Sequence, residues 1–134
     1  MDFSRFVLLV FSSRWIVART KTFLQSQGIS LQIKTIDPVG YFDMLMLLHH
    51  CSMVLTDSGG LQKEAYLSDK FCLTLRDQTE WTELVSAGAN RLVGARSEEI
   101  IKGFRKYRQK KIKSKNLYGK GDAAEKIAKS LSRL

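Results

Sequence analysis

Short apolar segments alternate with helical segments along most of this 134-residue chain. Phe6–Phe11 is a continuous apolar run typical of a strand buried on both faces, whereas Tyr41–His50 carries its apolar residues at helical spacing. This alternation predicts an α/β fold, with a parallel sheet, flanking helices and right-handed crossovers. The predicted strands are Phe6–Phe11, Leu31–Ile36, Met53–Leu55, Phe71–Leu75 and Arg91–Val93. The predicted helices are Trp15–Gln27, Tyr41–His50, Leu61–Leu67, Trp81–Ala87, a long helix from Ser97, and Ala123–Leu131, with Gly28 and Gly88 as stops.

Length and composition fit a single domain over residues 1–134. Hydrophobic residues make up 44% of the chain and charged residues 26%, which excludes a disordered chain. The longest apolar run is far shorter than the roughly 20 residues of a membrane span, and Asp2 with a short apolar stretch does not predict a signal peptide. Cys51 and Cys72 show no metal-ligand or redox spacing, so we expect a cytoplasmic protein with no metal and no cofactor.

The net charge of +9 is confined to the C-terminal quarter. Residues 102–134 hold 12 Lys/Arg against 2 Asp/Glu, while residues 1–101 are close to neutral. We interpret residues 103–120 as a basic connector and 121–134 as a C-terminal helix, with a solvated basic face. The alternative is a protein that binds nucleic acid or an anionic surface. Only three aromatic residues lie among the basic ones, which is few for base stacking: Phe104, Tyr107 and Tyr118.

A strand, a glycine turn and a helix follow one another in MVLTDSGGLQKEA, residues 53–65. Gly59 and Gly60 let the backbone come close to a ligand, and the first N–H groups of the next helix form an anion site. Ser58 adds a hydroxyl donor, and Glu64, one turn into the helix, is a good acceptor for a pair of ribose hydroxyls. These residues together fit a nucleoside diphosphate better than bare phosphate.

A purely structural explanation of the same segment is equally open at this point. Asp57 and Ser58 are common helix caps, and glycine is common in turns. The segment is neither a Walker loop nor a GxGxxG fingerprint.

Three blocks of the sequence, in the same order, resemble the non-hydrolysing UDP-N-acetylglucosamine 2-epimerases. The blocks are TDSGGLQKEA, LRDQTEWTELVSAGANRLVGA and NLYGKGDAAEKIA, and the upstream stretch IDPVGYFDMLMLL is also similar. The resemblance covers Ile36 to Ala128. It implies a Rossmann-like domain of the glycosyltransferase-B architecture, with this chain similar to the C-terminal half and UDP or a UDP-sugar as ligand.

The resemblance implies a role for each matching residue. Those that match the diphosphate-binding turn are Ser58, Gly59 and Gly60, and Glu64 matches the ribose-binding carboxylate. Met44 falls where the family lines the uracil pocket. The R-D-x-T-E loop of the family matches Arg76, Asp77, Thr79 and Glu80, of which Arg76 and Glu80 are candidate ligand contacts. Some members carry arginine at the position of Trp81, which puts a diphosphate contact from there in doubt.

Departures from the family limit what this chain is expected to do alone. The family's acid/base carboxylates lie in the N-terminal half, so we expect no catalytic residues here and no epimerase activity without a chain that supplies that half. The first strand of the C-terminal half is also missing. Its loss would leave a gap in the sheet unless the ends repack or another chain, such as a second copy in a homo-oligomer, fills it.

In the intact enzyme, the resemblance implies that UDP-GlcNAc and UDP-ManNAc interconvert by elimination and re-addition of UDP. A stand-alone nucleotide-sugar binding module and a gene remnant are alternatives.

Four further residues carry chemistry with a simpler structural interpretation. His49 and His50 suit the C-terminal end of a helix, where the dipole favours them. Glu80 and Glu83, one turn apart, suit loop anchoring and the charge preference of a helix start better than paired acid/base catalysis.

Overall fold

The computed structural model describes residues 7–10, 22–28, 34, 36–112 and 116–133. Four strands form an all-parallel sheet in the order β1-β2-β3-β4. They are β1 (Val7–Val10), β2 (Met53–Thr56), β3 (Cys72–Thr74) and β4 (Asn90–Leu92). The helices are α1 (Tyr41–His50), α2 (Gly59–Leu67), α3 (Thr82–Ser86), α4 (Ser97–Tyr107) and α5 (Ala123–Leu131), and residues 22–26 are also helical. The predicted Rossmann-like α/β fold is confirmed.

The sheet is continuous between β1 and β2, so there is no gap between these two strands. Val7 pairs with Met53 and the register runs on to Val10 opposite Thr56. Of the outcomes considered, the strands have therefore repacked side by side. Lys34 and Ile36 lie in no strand, and the rest of the predicted strand Leu31–Ile36 lies outside the described residues.

Alternate side chains of the strands pack into two cores, one on each face of the sheet. On one face, Val54 and Cys72 lie beneath α1 and α2. On the other, Met53 and Leu73 lie beneath α4, which contributes Ile100, Phe104 and Tyr107. Because neighbouring residues of a strand point to opposite faces, a parallel sheet covered on both sides has apolar residues at successive positions. This explains the continuous apolar runs in the sequence.

Gly103 allows α4 to lie close against the sheet. A Cβ atom there would come within 3.2 Å of Leu73 Cδ2 and of Val93 Cγ1. Because β2 and β3 are parallel, their carboxyl ends lie at the same edge of the sheet, where the turn that follows β2 begins.

Two boundaries differ from the sequence-based expectation in ways that matter for the site. Helix α2 begins at Gly59, two residues before the predicted start at Leu61, so the glycines form its first turn. Helix α3 is shorter than predicted and begins after Trp81. The predicted helix Trp15–Gln27 is helical at residues 22–26, and its positions before 22 lie outside the described residues.

Candidate nucleotide-binding site

The glycine turn connects the carboxyl end of β2 with the N-terminus of α2. Ser58 is the N-cap residue in an extended conformation, and its backbone N–H donates to Thr56 Oγ1 at 3.0 Å. Thr56 itself is fully buried at the end of the strand. The first N–H groups of a helix have no partner within the helix, and its dipole gives this end a partial positive charge. An anion placed here would meet both.

The side chain of Ser58 does not cap the helix. It makes no hydrogen bond to the amides of the first turn, although it occupies the cap position. Capping therefore does not account for this serine. Its half-buried hydroxyl lies beside the first amides of α2 and can donate to a ligand oxygen.

Glu64 lies four residues after Gly60, so the two positions share one face of α2. The Glu64 carboxylate is half-buried and has no hydrogen-bond or ion-pair partner among the described residues. Its neighbour Lys63 instead places Nζ 3.4 Å from the centroid of the Trp81 ring. Lys63 thus faces the other flank of the helix, and Glu64 remains an acceptor beside the glycine turn.

The loop after β3 packs against the glycine turn. The Glu80 carboxylate lies so close to Gly59 that a Cβ atom there would displace the end of this flexible side chain. Arg76 Nη1 pairs with Glu80 Oε2 at 3.2 Å. Trp81 donates from Nε1 to the Gly59 carbonyl oxygen at 2.9 Å. The structure therefore brings Arg76 and Glu80 together beside the turn, and their contact with a ligand stays a prediction.

Two buried polar residues of this region, Gln62 and Asn90, are absent from the candidates predicted from the sequence. Gln62, which is 1% exposed, contacts the turn, the loop and β4. The available signal was a glutamine on the apolar face of a helix, next to Leu61 and one turn before Tyr66. A polar side chain at such a position needs partners, because burial without them is costly.

Met44 is half-buried and packs against the core that holds Leu61 and Ala65 of α2. Met44 therefore lies on the face of α1 that packs against α2. Its assignment to a uracil pocket stays a prediction.

The remaining candidates have structural roles. His49 and His50 are exposed in the last turn of α1 with their rings edge to face, 5.2 Å apart. Cys72 is buried, and burial raises the pKa of its thiol to about 12. Among the described residues no group of three His, Cys, Asp or Glu side chains could hold a metal ion. The helices of the described ranges include none that is long and apolar enough to span a membrane.

Glu80 and Glu83 have separate partners, so they do not form an acid/base pair. Glu83 accepts a hydrogen bond from the Tyr118 hydroxyl at 2.8 Å, which lowers the pKa of Glu83. The centroid of the Tyr118 ring lies 4.7 Å from Lys63 Nζ, and the ring packs edge to face on Tyr66. Burial and the hydrogen bond to Glu83 raise the pKa of Tyr118. These contacts attach the segment around residue 118 to α2 and α3.

The family model described as UDP-N-acetylglucosamine 2-epimerase matches residues 8–132. This chain belongs to that family. It is 48% identical over 117 residues to the UDP-2,3-diacetamido-2,3-dideoxy-D-glucuronate 2-epimerase of Pseudomonas aeruginosa, a match that covers 87% of this chain and 33% of that protein.

Solved structures of the family share the fold. The Methanocaldococcus jannaschii UDP-GlcNAc 2-epimerase in complex with UDP-GlcNAc and UDP has a TM-score of 0.75 at 30% identity, covering 98% of this chain and 46% of that one. The Neisseria meningitidis UDP-GlcNAc 2-epimerase bound to UDP-GlcNAc has a TM-score of 0.71 at 31% identity, covering 97% and 36%. This epimerase-family chain therefore spans less than half the length of the proteins it matches.

Proposed function

We propose that this chain is the UDP-binding part of a UDP-sugar 2-epimerase. In this proposal, the turn Ser58, Gly59 and Gly60 binds the diphosphate, and Glu64 accepts hydrogen bonds from the ribose hydroxyls. The observation that carries the proposal concerns two side chains, one at the N-cap of α2 and one within the helix. The Ser58 hydroxyl does not cap α2, and the Glu64 carboxylate has no partner in the described part of the chain.

Charge supports this division of roles. The diphosphate, with its negative charge, would lie at the positive end of α2, whereas a carboxylate is a poor neighbour for phosphate and a good one for hydroxyl groups. Glu64 is one turn further along the helix, at the distance where the nucleoside rather than the phosphates would lie. Met44, on the α1 side of the same helix, is the proposed contact for the base.

Arg76 and Glu80 are proposed to act next to the diphosphate rather than on the nucleoside. Glu80 lies against Gly59 and is paired with Arg76. The Glu80 side chain thus lies between the Arg76 guanidinium and the turn. If a phosphate group of the ligand replaced the Glu80 carboxylate as the partner of Arg76, the guanidinium would bind the ligand. Carboxylate and phosphate groups can both accept two hydrogen bonds from guanidinium.

In the whole enzyme, UDP would leave the sugar and return to it, interconverting UDP-GlcNAc and UDP-ManNAc. The part of the mechanism proposed for this chain is stabilisation of the charge that develops on the departing diphosphate by preorganised amides and the helix dipole. The 48% identical relative is named for a different UDP-sugar, which makes a 2,3-diacetamido sugar a second candidate substrate. UDP is common to both.

The Glu64→Ala variant tests the proposal with two ligands. We expect it to raise the Kd for UDP about tenfold, because the ribose loses its acceptor, and to leave the Kd for inorganic pyrophosphate unchanged or lower. Calorimetric titration measures both. Glu99→Ala, a half-buried glutamate in the first turn of α4, is the matched control and should change neither. Equal losses for the two ligands would contradict the ribose assignment.

A further inference from the structure

Gln62 is almost completely removed from water beside the glycine turn. Its side chain is 1% exposed, on the fourth residue of α2. An amide buried in this way destabilises the protein unless its oxygen and nitrogen both find partners. Its partners therefore show what this residue holds in place.

The two ends of the Gln62 amide bind different parts of the site. Its Oε1 accepts hydrogen bonds from Thr79 Oγ1 at 2.7 Å and from Asn90 Nδ2 at 2.8 Å. Its Nε2 donates to the backbone carbonyl of Ser58 at 3.3 Å. One side chain thus joins the glycine turn to the loop after β3 and to β4.

The network continues beyond Gln62 in both directions. Thr74 Oγ1 donates to Asn90 Oδ1 at 2.8 Å, and the backbone N–H of Trp81 donates to Thr79 Oγ1 at 3.1 Å. Because the Ser58 carbonyl oxygen can only accept, the Gln62 nitrogen must face it. The Gln62 oxygen then faces Thr79 and Asn90, which donate to it.

Two carbonyl groups of the turn are therefore held by side chains. Gln62 binds the Ser58 carbonyl and the Trp81 indole binds the Gly59 carbonyl, at 2.9 Å. In a planar trans peptide the C=O and the following N–H point in opposite directions. Holding these two carbonyls thus directs the N–H groups of Gly59 and Gly60 away from the protein interior.

We propose that Gln62 and Trp81 are positioning residues of the diphosphate site, which aim the amides of Gly59 and Gly60 at the ligand by holding the preceding carbonyls. The inference rests on the proposed function, because it needs an anion at these amides. It adds that side chains of α2 and of the start of α3 preorganise the turn. The backbone of the turn therefore keeps its conformation when the diphosphate binds.

The Gln62→Glu variant tests this through pH. It keeps the size of the side chain and the acceptor for Thr79 and Asn90, but it replaces the donor to the Ser58 carbonyl with a second oxygen. While ionised, that oxygen repels the carbonyl; when protonated, its hydroxyl can donate to it, and burial raises the pKa of such a carboxyl. We expect the Kd for UDP, relative to wild type at the same pH, to rise about tenfold at about pH 8 and to recover towards wild type at about pH 5.

Two further variants separate positioning from stability. Trp81→Phe removes the indole donor but keeps a ring beneath Lys63, and it should raise the Kd several-fold with no dependence on pH. Leu73→Val removes buried apolar volume from the core beneath α4, on the face of the sheet away from α2. It should lower the Tm and leave the Kd within about twofold of wild type.

The outcomes distinguish this inference from the proposed function. UDP binding by wild type, with the same affinity in folded Gln62→Glu across the pH range and in Trp81→Phe, would overturn the positioning roles alone. If Gln62→Glu does not fold at about pH 8, an unchanged Kd in Trp81→Phe would overturn them by itself. Absence of UDP binding by the wild-type chain would overturn the proposed function and this inference with it.

Discussion

The side chain of Ser58 allows ligand binding to be separated from helix stability. It lies at the cap position of α2 but makes no cap hydrogen bond. We therefore expect Ser58→Ala to raise the Kd for UDP about tenfold while the free energy of unfolding stays nearly constant, whereas loss of a true cap costs about 1 kcal/mol. Calorimetry and thermal unfolding measure the two effects.

The matched control for this serine lies at the other end of the same helix. Ser68 is the residue that follows α2, and Ser68→Ala should leave the affinity for UDP unchanged. A Ser58→Ala protein that lost stability but bound UDP as tightly as wild type would show that the serine serves the helix and not the ligand.

Substitution of Gly60 by alanine should increase stability and weaken ligand binding. A Cβ atom at this position meets no other atom within 4 Å, and the residue is exposed in the first turn of α2. Gly60→Ala should therefore raise the free energy of unfolding by about 0.5–1 kcal/mol, since alanine loses less entropy in a helix. The same methyl group would lie where the diphosphate approaches, so we expect weaker UDP binding.

Urea unfolding and UDP titration of Gly60→Ala test both halves of this prediction. If the methyl group stabilised the chain and left the Kd unchanged, the ligand would not approach the backbone at Gly60, and the diphosphate would have to be placed elsewhere.

At the scale of elements, the Tyr118–Glu83 hydrogen bond joins the segment before α5 to α3. The bond lowers the pKa of Glu83, so its stabilisation is present above the ordinary carboxyl pKa of 4.5 and is lost as the pH falls through the lower folded value. We expect Tyr118→Phe to lower the Tm by a few degrees or less at neutral pH, because both groups are exposed. The difference from wild type should disappear on acidification.

Thermal unfolding over a pH series measures this effect. Tyr41→Phe, on the exposed start of α1, is the control and should unfold like wild type at every pH. A Tyr118→Phe protein that unfolded like wild type at neutral pH would mean that ring packing on Tyr66, which phenylalanine keeps, attaches this segment, and not the hydrogen bond.

Elements with a local signal could be predicted from the sequence, and those decided by distant contacts could not. Helices α1 and α5 have the predicted bounds, because apolar spacing marks both. The start of α2 was placed two residues late, since glycine has low helix propensity and the first turn forms only in the context of the strand before it. The repacked β1–β2 pair depends on contacts between residues 46 positions apart, as from Val7 to Met53.

The residues of the site also fall into those with a local signal in the sequence and those joined only by distant contacts. The residue types of the turn and Glu64 suggested an anion site by local chemistry alone. The network of Gln62, Thr79 and Asn90 joins three separate elements, so spacing along the chain gave no sign of it.

At the scale of the whole molecule, partial coverage of the relatives limits what this chain is expected to do. It spans 33% of the Pseudomonas aeruginosa relative and 46% of the Methanocaldococcus jannaschii structure. We expect the purified 134-residue chain to bind UDP and to leave UDP-GlcNAc unconverted, because the proposal assigns it the nucleotide and not the proton transfer at C2. Chromatographic separation of the two epimers after long incubation tests this, and formation of UDP-ManNAc by the pure chain would contradict it.

The basic C-terminal quarter gives a competing explanation for any binding of an anion. Residues 102–134 carry a net charge of +10, and the last turn of α4 contains Arg105 and Lys106. Binding there would follow total charge and weaken steeply with salt. The central claim, that the amides of the glycine turn bind the diphosphate, therefore needs a measurement that locates the ligand.

Amide resonances of the isotope-labelled chain, followed while UDP is added, provide that measurement. The account predicts that Ser58, Gly59 and Gly60 shift most, that inorganic pyrophosphate shifts the same three amides, and that Glu64→Ala keeps the pyrophosphate response. Saturable UDP binding that shifts amides of residues 102–111 and leaves those of 58–60 unmoved would contradict it.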